Sequence, residues 1–163
     1  MGRRIVRHRG GYLEDFTPGK QFRHHWGRTV LANDTVFFST MTMNYNPVYF
    51  NAEYAQALGY ERLPVNPLFV FNLVLGLSVE DLSEAGGPFL GIDDMRFPRV
   101  VYPGDTIRAF TEVISARESE TRAGWGIVKW RTWGVNQRDE LVTEFYRTNL
   151  ARCRPADVEE TTP

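Results

Sequence analysis

A single cysteine, Cys153, in 163 residues excludes an internal disulfide framework and any cysteine-built zinc site. One odd thiol suits the reducing cytoplasm better than secretion, and a cytoplasmic protein is expected. Long apolar runs are also missing. The longest, Leu68 to Leu77, contains Asn72 and is too short to cross a bilayer, so no membrane role is expected. Charge of one sign is not in excess: 19 basic and 20 acidic side chains leave a net charge of −1, which argues against nucleic-acid binding by bulk charge. Arg3, Arg4, Arg7 and Arg9 stand near the N-terminus, but no apolar segment follows them as in a secretory leader. Gly2 lacks the downstream Ser or Thr of a myristoylation motif. There is no repeat of 20–50 residues, no Ser-His-Asp set, no phosphate loop and no metal-ligand spacing. Neither a metal nor a cofactor is therefore expected.

Aromatic residues are plentiful, at 13%, which favours β structure and a large apolar interior or interface. The length suits one domain. Residues 1–11 read as a flexible basic arm and 154–163 as an acidic tail, leaving 12–153 for the folded unit. Gln21 to Val30 is a candidate first strand. Asn33 or Asp34 can cap a short helix with Phe37, Phe38 and Met41 on one side. Asn51 can cap a second helix ending at Gly59. Asn66 as N-cap and Pro67 as first residue then open the clearest helix of the chain, to about Leu82. Its apolar residues cover nearly every face, which predicts a helix buried on all sides. Strands are expected over Phe89 to Val101, Thr106 to Ala116, Trp125 to Val135 and Glu140 to Cys153. Pro103-Gly104 and Asn136 to Asp139 supply the turns. The fold class is α+β, an antiparallel sheet curled around one central helix. An open edge on such a sheet usually pairs with a second copy, so a homodimer is expected.

Two stretches carry a family likeness. Phe38 to Tyr54, FSTMTMNYNPVYFNAEY, resembles the hydratase motif of MaoC-like (R)-specific enoyl-CoA hydratases, F-x-x-x-x-G-D-x-N-P-x-H-x-D-x-x-Y-A. Phe97 to Ile107, FPRVVYPGDTI, resembles the second signature of that family, an F-x-x-P-V-x-x-G-D-T hairpin. The nearest flavour is the mesaconyl-CoA or itaconyl-CoA hydratase-like subgroup. The resemblance covers roughly residues 12–153 and implies a single hot-dog fold. It also implies a hydratase or dehydratase acting on an acyl thioester, either acyl-CoA or carrier-protein-bound. In the family, an Asp and a His five positions apart share the catalytic water. A backbone N–H at the start of the central helix stabilises the enolate oxygen.

Carried over position by position, the family Asp falls on Asn44, the family His on Tyr49, and the His-Gly opening the central helix on Asn66-Pro67. Asn44 and Tyr49 are thus the catalytic candidates that the resemblance implies. Asn is no general base near neutral pH, and Tyr is a better donor than base. Pro67 has no N–H to offer. Asn46, Asn66, Leu68 and Phe69 are the substrate-binding candidates, the last two through backbone N–H groups that an Asn66 cap would leave available. Asn44 reads equally well as a loop residue bonded to backbone, and Asn46-Pro47 as a turn that shapes the loop. Among other titratable groups, His24-His25 is expected to be a solvated strand edge. Asp93 and Asp94 are expected to pair with Arg96 or Arg99, and Glu53 to be solvated. Arg147 and Asn149 could meet a CoA phosphate or a neighbouring subunit. Two functions stay open: a hydratase or dehydratase with a changed mechanism, and a non-catalytic acyl-binding hot-dog unit.

Overall fold

The computed structural model describes residues 10–155; the proposed arm and tail lie almost wholly outside them. Five antiparallel strands form one sheet, in the order β1 (Gln21–Thr29), β3 (Thr106–Glu118), β4 (Trp125–Val135), β5 (Leu141–Arg152) and β2 (Phe89–Arg96). Alternation on the central strands β3 and β4 builds its inner face. On β3, Ile107, Ala109, Thr111 and Val113 are buried, while Arg108, Phe110 and Glu112 face the other way. On β4, Val128, Trp130, Thr132 and Gly134 take the inner face in register with β5. The helices are α1 (Ala32–Met41), α2 (Ala52–Ala57), α3 (Pro67–Leu77) and α4 (Val79–Leu82). α3 lies across the inner face of the sheet, which is the hot-dog arrangement expected from the resemblance.

The structure corrects several details of the helices. α1 begins at Ala32, so Asn33 and Asp34 lie inside it rather than capping it. Asp34 still serves the helix start, because its carboxylate accepts the Leu31 N–H at 2.8 Å. Phe37 and Met41 are exposed, and only Phe38 of the expected trio packs inward, edge-on to Phe69 at 5.7 Å. The central helix is not buried all round: in α3 only Val70 and Val74 are fully buried, and Leu68 is 42% exposed. A single sheet covers one side of a helix and leaves the others open.

Nor is the helix continuous to Leu82, since it breaks at Ser78. The Ser78 hydroxyl donates back to the Leu75 carbonyl at 2.6 Å and accepts from Arg147 Nη2 at 3.0 Å. A side chain that bonds its own preceding turn competes with the helix ladder, and a buried guanidinium holds it there. Arg147 is itself 1% exposed and lies over the Trp130 ring, with no carboxylate partner among the described residues. Burial lowers its pKa to about 10. It therefore cannot meet a CoA phosphate at the surface in this chain. Asn149, 3% exposed, is equally internal.

β2 also ends earlier than expected, at Arg96, because Pro98 withholds a ladder donor. Residues 97–105 become a loop that runs back over the start of α3, where the Val65 N–H bonds the Val101 carbonyl at 2.9 Å. The Pro103-Gly104 turn is present: Gly104 has φ +98°, and the Asp105 N–H closes onto the Tyr102 carbonyl at 3.0 Å. Asp93 on β2 has another partner than expected. Asp93 binds Lys129 at 2.9 Å, whereas Arg96 faces Glu144 and Arg99 faces Glu140 at 3.8 and 3.4 Å.

Candidate functional site

The loop from Asn44 to Phe50 contains one 3-10 turn, Pro47–Tyr49, capped by Asn46, whose side chain accepts the Val48 N–H at 3.3 Å. Asn46 is thereby committed to shaping the loop. Its turn carries Tyr49 to the wall of a cavity of about 160 Å³. Tyr49, Tyr60 and Arg99 bring polar groups to that wall. Val65, Pro67, Val70, Phe97, Val101 and Val142 make much of it apolar. A mostly apolar cleft with a few convergent polar groups is what an acyl chain on a polar handle requires. Burial raises the Tyr49 pKa, and Tyr60 beside it adds to the shift. Its hydroxyl thus stays protonated at neutral pH, so Tyr49 lines the cavity as a residue that can donate a hydrogen bond.

Asn44 is half-buried, and its N–H bonds the Ser39 carbonyl at 2.8 Å. It is not among the residues lining the Tyr49 cavity. The residue before it, Met43, holds φ +57°, a conformation that glycine adopts freely and L side chains resist. The motif that this stretch resembles has glycine at this point, a residue that suits such a φ.

The start of α3 departs most from expectation. Asn66 is fully buried: its Oδ1 accepts the Leu68 N–H at 3.0 Å, and its Nδ2 donates to Ser39 Oγ at 3.0 Å. Its own N–H reaches Thr35 Oγ1 at 2.9 Å, which ties α3 to α1. The N–H groups of Phe69 and Val70 both go to the Asn66 carbonyl, at 3.0 and 3.2 Å. The sequence predicts free N–H groups at Leu68 and Phe69 for a ligand oxygen; both are satisfied from within the protein. Tight 3-10-type closure at a helix start produces this result, and composition does not reveal it. Among the side chains lining the cavity, the donors are the phenols of Tyr49 and Tyr60 and the guanidinium of Arg99.

His24 is the titratable group that sequence reasoning misplaced. It is 3% exposed rather than a solvated edge, and His25 alone stays outside. Its Nδ1 meets Asp81 Oδ2 at 2.5 Å, and its Nε2 meets Thr111 Oγ1 at 3.0 Å. Alternation along β1 says that one of the two histidines points inward, but not that a carboxylate on α4 would receive it. His24 lies outside the Tyr49 cavity, so it is not a base for that site. Burial lowers its pKa from 6.5, against the opposing pull of Asp81. The folded protein then resists protonation more than the unfolded chain. Stability is expected to be full above the unfolded value and to fall as pH drops below it through the folded one. Urea unfolding at about pH 5 and about pH 7.5 should show that loss, and His24→Asn should shrink it.

Comparison with known proteins agrees with this architecture. The profile of the mesaconyl-CoA hydratase family matches residues 1–161. A mesaconyl-CoA hydratase of Haloarcula hispanica is 34% identical over 158 residues, covering 96% of this chain and 44% of that protein. A beta-methylmalyl-CoA dehydratase of Chloroflexus aurantiacus is 35% identical over 145 residues, 89% of this chain and 41% of that one. A solved MaoC domain protein from the same organism superposes with a TM-score of 0.84 at 33% identity, covering 92% of this chain and 42% of its own. The chain thus spans less than half the length of these relatives. Profile, identity and superposition each extend over nine-tenths or more of the chain, and the chain belongs to the mesaconyl-CoA hydratase family of MaoC-like hot-dog proteins.

Proposed function

We propose that this chain acts in the hydration or dehydration of an acyl thioester, CoA- or carrier-bound, by a changed version of the family mechanism. The observation that carries the reading is Tyr49, presented by its 3-10 turn to an apolar cavity at the start of α3. The backbone donors there are spent, so a phenol O–H takes over polarisation of the thioester carbonyl. Asn44 and Tyr49 offer no carboxylate or imidazole, so proton transfer to and from the α-carbon is slow. The test is prolonged incubation of the protein with an enoyl thioester, with mass spectrometry detecting the water-added product. Tyr49→Phe should lower product formation by about a hundredfold, the usual effect of removing one oxyanion donor.

A second reading is favoured by the engaged N–H groups of Leu68 and Phe69: a non-catalytic acyl-binding unit that keeps the pocket and lends it to an active partner. Tight thioester binding with no product at any protein concentration would select it.

We further propose that the chain works as a homodimer in the cytoplasm, where its half-buried Cys153 thiol stays reduced. β2 ends the sheet, and Phe89 and Leu90 on it are each about half exposed. An apolar edge of this kind seeks a partner. Two copies would span most of the length of the Haloarcula relative. Light scattering should give twice 18.8 kDa at micromolar concentration, and a monomer mass would overturn the assignment.

A further inference from the structure

Arg147 and Trp130 stand directly opposite each other on β5 and β4, with the guanidinium 5.0 Å from the indole ring. Both side chains are fully buried. Phe16, Leu82, Val113 and Val128 belong to the same core cluster as Trp130, so the surroundings are apolar. Arg147 Nη2 donates to Ser78 Oγ, but its Nε–H and the Trp130 Nε1–H are both buried without a partner. Asn149, two residues along on β5, has a buried Oδ1 that is unpartnered as well. Half a turn of its amide exchanges that oxygen for an N–H donor. No carboxylate pairs with Arg147 among the described residues, and burial alone moves its pKa, to about 10, so it is charged at neutral pH. The Asp81 carboxylate on α4 goes to His24 instead. An unpaired charge in an apolar interior is costly, and so is each buried donor left without an acceptor. One group that is both anionic and an acceptor answers all of these at once.

We infer that Arg147 and Trp130 form an internal binding site for a halide ion. The ion accepts from Arg147 Nε–H and Trp130 Nε1–H, with the Asn149 amide as a third donor. Burial of both residues excludes an organic anion and favours a single-atom one. Low local dielectric makes such a charge-assisted contact stronger than it would be at the surface. None of these residues lines the Tyr49 cavity, so the site is separate from the thioester reading above. The same guanidinium holds Ser78 at the break between α3 and α4, and a bound halide steadies that break.

Chloride and bromide are the probes. Urea unfolding of the full chain is followed at fixed pH and ionic strength while gluconate is replaced stepwise by chloride. The midpoint should climb with chloride, because an ion bound only to the folded state stabilises it by mass action. Trp130→Phe keeps a ring beside the guanidinium but removes one N–H, and should weaken chloride binding about tenfold. Arg147→Met should abolish the chloride response. It should still fold, since an apolar side chain in place of a buried charge is often neutral or stabilising. Wild-type crystals soaked in bromide should show an anomalous peak within hydrogen-bond reach of Arg147 Nε and Trp130 Nε1. A chloride response that survives Arg147→Met would overturn the inference. So would a bromide soak that leaves no anomalous peak there, with or without a water in that place. A peak without any chloride response in solution would mean binding at crystal concentration only, and would overturn it too.

Discussion

Replacing Pro67 by glycine in a chain that already carries Asn44→Asp and Tyr49→His is expected to raise crotonyl-CoA hydration by about a hundred- to a thousandfold over the double mutant. The double change restores a carboxylate and an imidazole at the positions where the family motif has them. An imidazole with a reference pKa near 6.5 can exchange protons at neutral pH, which Asn and Tyr do not. The enolate oxygen would still lack a donor. At the start of α3 the Leu68 N–H is held by Asn66 Oδ1 at 3.0 Å, and the Phe69 N–H by the Asn66 carbonyl at 3.0 Å. Pro67 has none. The N–H of a first helical residue has no partner inside its own helix, so glycine at 67 would present a free one beside the cavity. Loss of one oxyanion donor costs about 3–4 kcal/mol, and its gain should return that factor. Asn66→Ala in the double mutant is a second route, because it releases the Leu68 N–H without touching Pro67. The measurement is loss of enoyl absorbance for wild type, double and each triple mutant. The wild type should hydrate crotonyl-CoA poorly or not at all. Brisk wild-type turnover would sink the argument and would give Tyr49 the proton transfer.

The parts of this molecule that could be read from sequence are those decided within a few residues. β4 runs from Trp125 to Val135, as its alternating pattern predicts, because inner and outer faces are set by a period of two. Asn51 and Asn66 cap their helices because a short amide reaches a nearby N–H in any context. The turn at Pro103-Gly104 is local in the same sense. What escaped depends on residues far along the chain. The break at Ser78 needs Arg147, 69 residues on, and the burial of His24 needs Asp81, 57 residues on. The composition of α3 predicts a helix covered on every side, yet coverage depends on how many layers surround it, and one sheet supplies one. The candidate site divides in the same way. The motif puts Tyr49 on the cavity loop, but Arg99 joins that cavity only because β2 stops at Arg96 and its continuation folds back over α3.

That packing of α3 on the sheet is testable at one contact. Gly134 on β4 sits beneath the helix, where an added Cβ would lie 2.5 Å from Val74 Cγ2 and 3.4 Å from Thr143 Cγ2. Val74 is 0% exposed and belongs to the same core cluster as Val70 and Phe145. The position needs glycine for closeness rather than for backbone freedom. Gly134→Ala is therefore expected to destabilise the fold by about 1–3 kcal/mol, the usual cost of forcing extra volume into a filled core. The strain should fall on α3 and shift the helix start that borders the Tyr49 cavity. Val74→Ala alone should also destabilise, because it empties buried volume. The two changes combined should cost less than their sum, since the new methyl group at 134 fills part of the space vacated at 74. Residues in direct contact commonly show couplings of about 0.5–3 kcal/mol. A cycle of urea unfolding midpoints over the four proteins measures the coupling. Strict additivity would mean that α3 does not rest on Gly134, and the seating of the helix against β4 would have to be redrawn.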